Sequence, residues 1–548
     1  MKFKRLSLSL ISATTLLLAT GCFKRTPPVE TATQNQTLLL GNFGDPASLD
    51  PQLTTGVTEH NILRGLFEGL TIPDPKDLHP TPGAAESWSI SEDAKTYTFK
   101  LRKNARWSNG DPVTAHDFVF SYERILSPEF GAEYASMLHV IKNAEAYNEG
   151  DLDDFTQVGV KALDEHTLEI TLEHPTPYFI TMLAHNAWFP VHPPTILKYG
   201  DKHDRDTAWT HTGNHVGNGP FMLKAWRISD IVIIEKNPHY WDAEVVKLKE
   251  IHFFPMNGDT EERAFRADQL HMTEAVPGEK IAELQAENDP YLCVHPYLGT
   301  YYYTFNLNVP PFNDKRIRKA LSLAIDRQAI VDHVNKRGQL PAYYFTPPNT
   351  AGYTCTTKLE ENIEEARRLL AEAGYPNGEG FPVMELLYNT SEGHRKLAQA
   401  IQEMWKENLG IDITMRNQEW KVFLISRRQG DFQIMRGGWI GDYLDPSTFL
   451  ELFSTDSTQN FSGWSNPDYD ALLEEAAKTL DQEERYALFQ KAEAIFLDEL
   501  PVIPFYFYNN AHLKHPDVKG WYPNILDAHP YKYVYLEAST TDDVKKDH

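Results

Sequence analysis

A mixed α/β fold of several domains is what this sequence predicts, and three observations carry the prediction. The chain has 548 residues, well beyond the size of a single hydrophobic core, so two to four domains are expected. Apolar residues make up 41% and aromatics 12%, enough for packed cores and incompatible with a disordered chain. Stretches with a helical apolar period intermix with short β-rich runs, without internal repeat or low-complexity block. That pattern reads as α/β or α+β with mixed sheets.

In chain order, the first segment stands outside the fold. Met1 to Arg5 is basic and Leu6 to Leu18 is a short apolar run, the layout of a signal peptide. It falls short of the roughly 20 residues that span a bilayer. Leu18-Ala-Thr-Gly-Cys22 reads as a lipobox, with Ala19 where leucine is usual. Residues 1–21 are therefore expected to be a lipoprotein signal peptide, and Cys22 the acylated residue that anchors the protein to a membrane without a spanning helix. Residues 22–36 are polar and without periodicity, a flexible tether.

Further on, Asp314 to Val334 predicts a helix with Ile317, Leu321, Leu323, Ala324 and Ile325 on its apolar face. Leu359 to Ala373 predicts a second, with Ile363, Ala366, Leu369 and Leu370 inward, stopped by Gly374 and Pro376. Asp481 to Glu484 is a capping box opening a third, with Leu488, Phe489, Ala492, Ile495 and Phe496 on one side. Strand-like runs are Tyr301 to Asn306, Leu386 to Tyr388, Phe432 to Met435 and Val502 to Tyr508.

The formal charge is −25. Such an acidic surface repels phosphate backbones, so no nucleic-acid partner is expected. Catalytic signatures are missing: there is no His-Glu-x-x-His, no Gly-x-Ser-x-Gly elbow and no Walker A loop. Gly213 to Gly219 is glycine-rich, but no strand leads into it and Pro220 follows, so its glycines are read as turn residues. The 21 histidines are scattered, and neither a metal nor a cofactor is expected. After Cys22 only Cys293 and Cys355 remain, and spacing does not decide whether they pair.

One segment stands apart. From Arg427 to Pro446 a strand ending in Arg436 runs into glycines flanking Trp439, then reaches Asp442. Glycines let another backbone approach. An arginine offers a planar fork to a carboxylate, and an aspartate accepts from an ammonium, so the pair suits the two ends of a zwitterion. The same residues also suit an internal Arg436–Asp442 ion pair or a turn cap before Pro446, and residue types alone lean toward that reading.

A series of colinear motifs adds to this. Ser48-Leu-Asp-Pro51, Gly65 to Leu70, Phe99 to Arg102, Trp107 to Phe118, Gly217 to Phe221, Pro311 to Ala320 and Ala371 to Tyr375 follow one another along the chain. In that order they resemble the oligopeptide-binding proteins of bacterial ABC importers, within the large peptide- and nickel-binding solute-binding family. Tyr388 to His394, Asn417 to Lys421, and Arg436-Gly-Gly-Trp439 followed by Asp442-Tyr443 resemble the general oligopeptide binders among them.

The resemblance implies a type II periplasmic-binding-protein fold with three lobes and a hinge-closing cleft. Lobe I would comprise 37–71, 207–298 and 510–548; lobe II 72–206; lobe III 299–509. It implies that Asp442 holds a peptide α-ammonium, and that Arg436, Arg427 and His394 serve the α-carboxylate of ligands of different lengths. Gly438, Trp439 and Ile440 would pair with the ligand main chain. Glu59 and His60 would pair from the opposite lobe, and Phe120, Tyr301 to Tyr303 and Tyr508 would line the cleft. Two departures are visible. A lysine of some relatives falls at Asn335, beside Lys336, and a disulfide of some relatives would need cysteines at Gly299 and Ile440.

The implied protein is a monomeric lipoprotein of the periplasm or cell surface. It would capture short peptides and pass them to ABC permease subunits in the inner membrane, without catalysis. Murein-peptide or dipeptide binding, a peptide-sensing surface receptor and, in a different class, a secreted hydrolase are the alternatives.

Overall fold

A computed structural model describes residues 28–539. The expected signal peptide, the expected lipidation site Cys22 and the last nine residues lie outside the described part. No helix among the described residues is long and apolar enough to cross a membrane.

Three larger sheets organise the chain. The first runs Thr37–Gly41, Glu250–Phe254, Ile231–Lys236, Phe221–Arg227, with only its first pair parallel. The second, Ala85–Ile90, Thr96–Leu101, Thr167–Thr171 and Val160–Asp164, is wholly antiparallel. The third has six strands in the order Leu340–Pro341, Val502–Leu513, Leu292–Phe305, Ile434–Ile440, Met384–Asn389, Ile413–Gln418. Its middle is antiparallel and its far end parallel. The first two sheets share one hydrophobic core, which takes in Leu38, Leu66, Phe99 and Trp107. The third sheet carries two further clusters, one around Tyr303, Trp405 and Phe505, the other around Phe345, Phe449 and Phe496.

Two long strands join these bodies. Leu292–Phe305 and Val502–Leu513 pair antiparallel at both ends, but the register shifts between Pro296 and Thr300. On one side of the break Leu292, Ala511 and Leu513 belong to a cluster with Phe265 and Leu270. On the other, Tyr301, Tyr303, Ile503 and Phe505 belong to the third sheet. The register shifts again between Tyr301 and Tyr302, and a paired ribbon whose ladder is interrupted is a natural site for bending.

The sequence motifs are mostly devices of this fold. Trp107 is fully buried; its indole donates to Asp117 at 3.1 Å, and Asp117 accepts from the Thr114 amide at 2.8 Å, capping helix Ala115–Leu126. Asp50 meets Arg124 of that helix at 2.7 Å, both buried, so Ser48 to Pro51 is held by a charge-assisted pair. Gly217 and Gly219 pass so close to the Leu66 backbone that a Cβ at either would meet it within 2.6 Å.

Some expectations fail. The tether does not extend to residue 36, because Pro28–Asn35 is a helix whose Val29, Ala32 and Thr33 are buried; apolar contact with Phe265 and Leu270 overrides its polar composition. The helix expected over Asp314 to Val334 stops at Leu323. Asp326 then caps a fresh turn by accepting from the Ala329 amide at 2.7 Å, and Ile330–Asn335 winds as π-helix. In the second helix Ile363 is 40% exposed, because Asn362 is its N-cap and the helix begins at Ile363 rather than Leu359. Gly374 does take the left-handed turn, at φ +99°.

Candidate functional site: a closed cleft with one open strand edge

Between the bodies lies a cavity of about 970 Å³, within the ordinary range of ligand sites. One wall is the strand Ile434–Ile440. Along one edge it pairs with the long strand, from Phe305 opposite Ile434 to Gly299 opposite Ile440. Along the other it meets Met384–Asn389 only at Ile434 and Met435. Residues Arg436 to Ile440 therefore present an unpaired edge, and all five line the cavity. Backbone donors and acceptors on a half-buried edge require partners. Glycine keeps this edge accessible: a Cβ at Gly438 would stand 2.5 Å from the Tyr508 hydroxyl oxygen.

Asp442 follows this edge, and its side chain is 10% exposed. Its Oδ1 accepts from the Tyr134 hydroxyl at 3.1 Å and faces His185 Nε2 at 3.3 Å. His185 Nδ1 accepts from the Ala187 amide, which assigns the proton to Nε2 and makes that ring a donor to Asp442. Burial and the carboxylate push the Tyr134 hydroxyl well above its ordinary pKa, so it stays a donor as well. Both contacts fall on Oδ1, and among the described residues Oδ2 has no partner. Arg436 and Asp442 form no ion pair with each other, so the internal-pair reading is not what the fold adopts.

At Arg436 the situation is reversed. The guanidinium donates to the Tyr508 hydroxyl at 3.0 Å and lies 5.1 Å above the Tyr301 ring. Its Nε is buried without a hydrogen-bond partner, and no acid of the described residues pairs with it. His394 lines the same region, 3.2 Å from the Tyr301 hydroxyl. Burial, with Arg436 and Arg337 nearby, holds its pKa well below 6.5, so its ring is neutral.

The remaining predicted residues divide. Arg427 lines the cavity but is already engaged: it meets Glu133 at 2.7 Å and stacks 4.4 Å over Phe461, while Arg428 takes the other Glu133 oxygen. Glu133 is thus shared by two guanidiniums, and Arg427 faces the cavity with an acid already beside it. His60 lines the cavity, bonded to Asn186 and stacked 5.8 Å from His185. Glu59 is only 1% exposed and accepts from the Ala47 amide at 2.6 Å; its side chain turns into the fold, and Thr58 and His60 face the cavity instead. Phe120 packs against the core shared by the first two sheets, and Tyr301 is 1% exposed behind Arg436. Neither lines the cavity; Tyr302 and Tyr508 do. Trp439 lines it and packs 6.2 Å from Tyr134.

Tyr134, His185 and Glu133 went unnoticed in the sequence. They are single residues of the second body that acquire meaning only when it closes. Nothing local marks them. Other contacts across the same seam are the Tyr178–Tyr443 stack at 5.1 Å and Tyr178 donating to Glu451 at 3.2 Å.

Known proteins share this architecture. The family described as bacterial extracellular solute-binding proteins, family 5 Middle, matches residues 79–461. The chain belongs to that family. It is a binding protein rather than an enzyme. It is 41% identical to the periplasmic oligopeptide-binding protein OppA of Escherichia coli K12 over 505 residues, covering 90% of this chain and 91% of that protein. The Haemophilus influenzae OppA complex with the peptide RPPGFSPFR superposes with a TM-score of 0.85 at 36% identity, covering 92% and 99% of the two chains. The Escherichia coli murein tripeptide binding protein MppA does so at 0.86 with 38% identity, covering 91% and 98%. The unliganded open form of MppA reaches only 0.63 at 37% identity, over 92% and 98%. The mixed α/β architecture is thus that of these periplasmic peptide-binding proteins. The chain thus superposes less well on the open, unliganded form than on the peptide complex, and its Tyr134–Asp442 and Glu133–Arg427 contacts span the cleft, as in a closed arrangement.

In these strands Gly299 stands directly opposite Ile440, the two positions where some relatives were expected to carry a disulfide. Here a Cβ at Gly299 would meet the Ile440 side chain at 2.5 Å, so apolar packing occupies that place. No disulfide joins Cys293 to Cys355.

Proposed function

We propose that this protein captures short peptides in an extracytoplasmic compartment by closing around them and presents them to the permease of an ABC importer. One observation carries the reading: an unpaired strand edge from Arg436 to Ile440 is framed by a guanidinium without an acid and a carboxylate with one free oxygen. A peptide supplies what each lacks. Its main chain adds a strand to the edge, its ammonium meets Asp442 Oδ2, and its carboxylate meets Arg436. Burying either charge alone costs several kcal/mol, so both termini are recognised together.

Side-chain identity matters less under this scheme, because the contacts are with main chain and termini. Each added residue displaces the carboxylate by about 3.4 Å, so length is read more sharply than sequence. The Glu133–Arg427–Arg428 clasp and the Asp442–His185 contact hold the closed form, while the interrupted ribbon at Pro296 to Thr300 supplies the bend. Three lobes divided as the resemblance implies, a lipid anchor at Cys22 and a monomeric state complete the proposal.

Murein peptides also present a free amine, so the same geometry serves that second reading, and the relationship to MppA supports it. Titration calorimetry with a free tripeptide and its N-acetylated counterpart tests the ammonium contact. Equal affinity of the two would exclude it.

A further inference from the structure

The carboxylate end of the cavity holds a second cation that the scheme above does not use. Arg337 follows the π-helical turn, and Lys336 before it adopts a left-handed conformation with φ +56°. The Arg337 carbonyl accepts from the Asn509 side chain on the long strand. This fixes the backbone while the side chain joins the cavity wall. Gly278 on the facing helix Gly278–Ala286 makes room, since a Cβ there would lie 3.2 Å from the Arg337 Nε.

No carboxylate of the described residues lies within ion-pair distance of Arg337. The acid nearest in charge, Glu279, is already paired with Lys396 at 3.0 Å. Burial accordingly depresses the Arg337 pKa. Arg436 donates to Tyr508 and the Arg337 carbonyl accepts from Asn509, the next residue, so both cations line the cavity beside one stretch of the long strand; both also act electrostatically on His394. His394 is neutral there and Lys396 and Glu279 cancel, so that region carries two uncompensated positive charges.

One α-carboxylate neutralises one of them. We propose that this end of the cleft selects ligands bearing two carboxylates near their C-terminal end, with Arg436 and Arg337 each taking one. This deepens the peptide reading and rests on it. Two sources share the chemistry: α-linked peptides with Glu or Asp at the last or penultimate position, and cell-wall peptides containing a γ-linked glutamate. A planar fork without a competing acid is well suited to a second carboxylate, and a buried cation left unmatched opposes closure.

The test is calorimetry on the full-length protein stripped of co-purified ligand. Matched peptides of three to five residues carry Glu, Gln or Ala at the last two positions, and a γ-Glu-linked peptide forms a separate arm. Glu is expected to exceed Gln by roughly tenfold. Arg337→Gln should abolish the difference, with the Ala peptides bound no more weakly because the unmatched cation is gone, and Arg337→Lys should retain part of it. Preference in the α-linked or the γ-linked arm alone identifies the source. Equal affinity for Glu and Gln peptides, or a preference that survives R337Q, overturns the proposal while peptide binding itself stands. Failure of every peptide to bind, the Glu-bearing ones included, overturns both readings.

Discussion

Arg427 and Arg436 are alike in sequence setting and opposite in fate. Arg427 lies in the last turn of the helix Trp420–Arg428 and Arg436 on the strand that follows, and both line the cavity. Arg427 is matched by Glu133 from across the cleft, whereas Arg436 has a phenol, an aromatic face and no acid. On the proposed function, one arginine holds the closed form and the other receives the ligand's carboxylate. The lesson is that a basic residue in a binding cleft becomes a ligand contact only where the fold withholds its counter-charge.

The most direct attempt to break this contrast is at its acidic counterpart. Asp442→Ala should weaken free-amine peptides by about 2–5 kcal/mol, as truncation of one partner of a buried charge pair does, measured by calorimetry. Arg436→Gln should cost about 1.5–3 kcal/mol for free-acid peptides and almost nothing for C-amidated ones. Arg427→Gln should lower affinity for both kinds equally, because it loosens closure rather than a terminus. If amidated peptides escaped the R427Q defect, the division between the two arginines would be wrong.

A pH titration sharpens the same point. Burial holds His394 and His60 neutral well below 6.5 in the closed form. Opening returns each ring toward that ordinary value, so proton uptake favours the open state. Affinity should therefore be constant above neutrality and fall as pH drops through 6.5, by up to about tenfold per pH unit for each ring that opening exposes. A rise in affinity on acidification would contradict the sign. The smallest effect is expected from Tyr134→Phe, which deletes one donor to Asp442 Oδ1 and should cost about 0.5–1.5 kcal/mol.

Much of the architecture was legible beforehand. The strands at Tyr301, Leu386 and Val502 and the helix opened by Asp481 appear where period and capping placed them. Errors arose where a local rule met a tertiary one. Pro28–Asn35 reads as linker until Phe265 and Leu270 are beside it, and the helix expected through Val334 breaks because Asp326 offers a better cap.

Within the site, Asp442, Arg436, Trp439, Gly438 and Ile440 were visible as a cluster in one stretch, because glycines and opposite charges close together are a sequence-level pattern. Glu59, Phe120 and Tyr301 were misjudged, since which way a side chain points from a buried element depends on its neighbours.

By itself, then, the chain determined what each segment is and which residue types could meet a zwitterion, since period, caps and charge act over a few neighbouring residues. Only the tertiary structure decided which charges are already matched, because Glu133, His185 and Tyr134 reach Arg427 and Asp442 from a distant part of the chain. The energy of a buried charge is set by what lies within a few ångströms in space, and sequence distance carries no record of that.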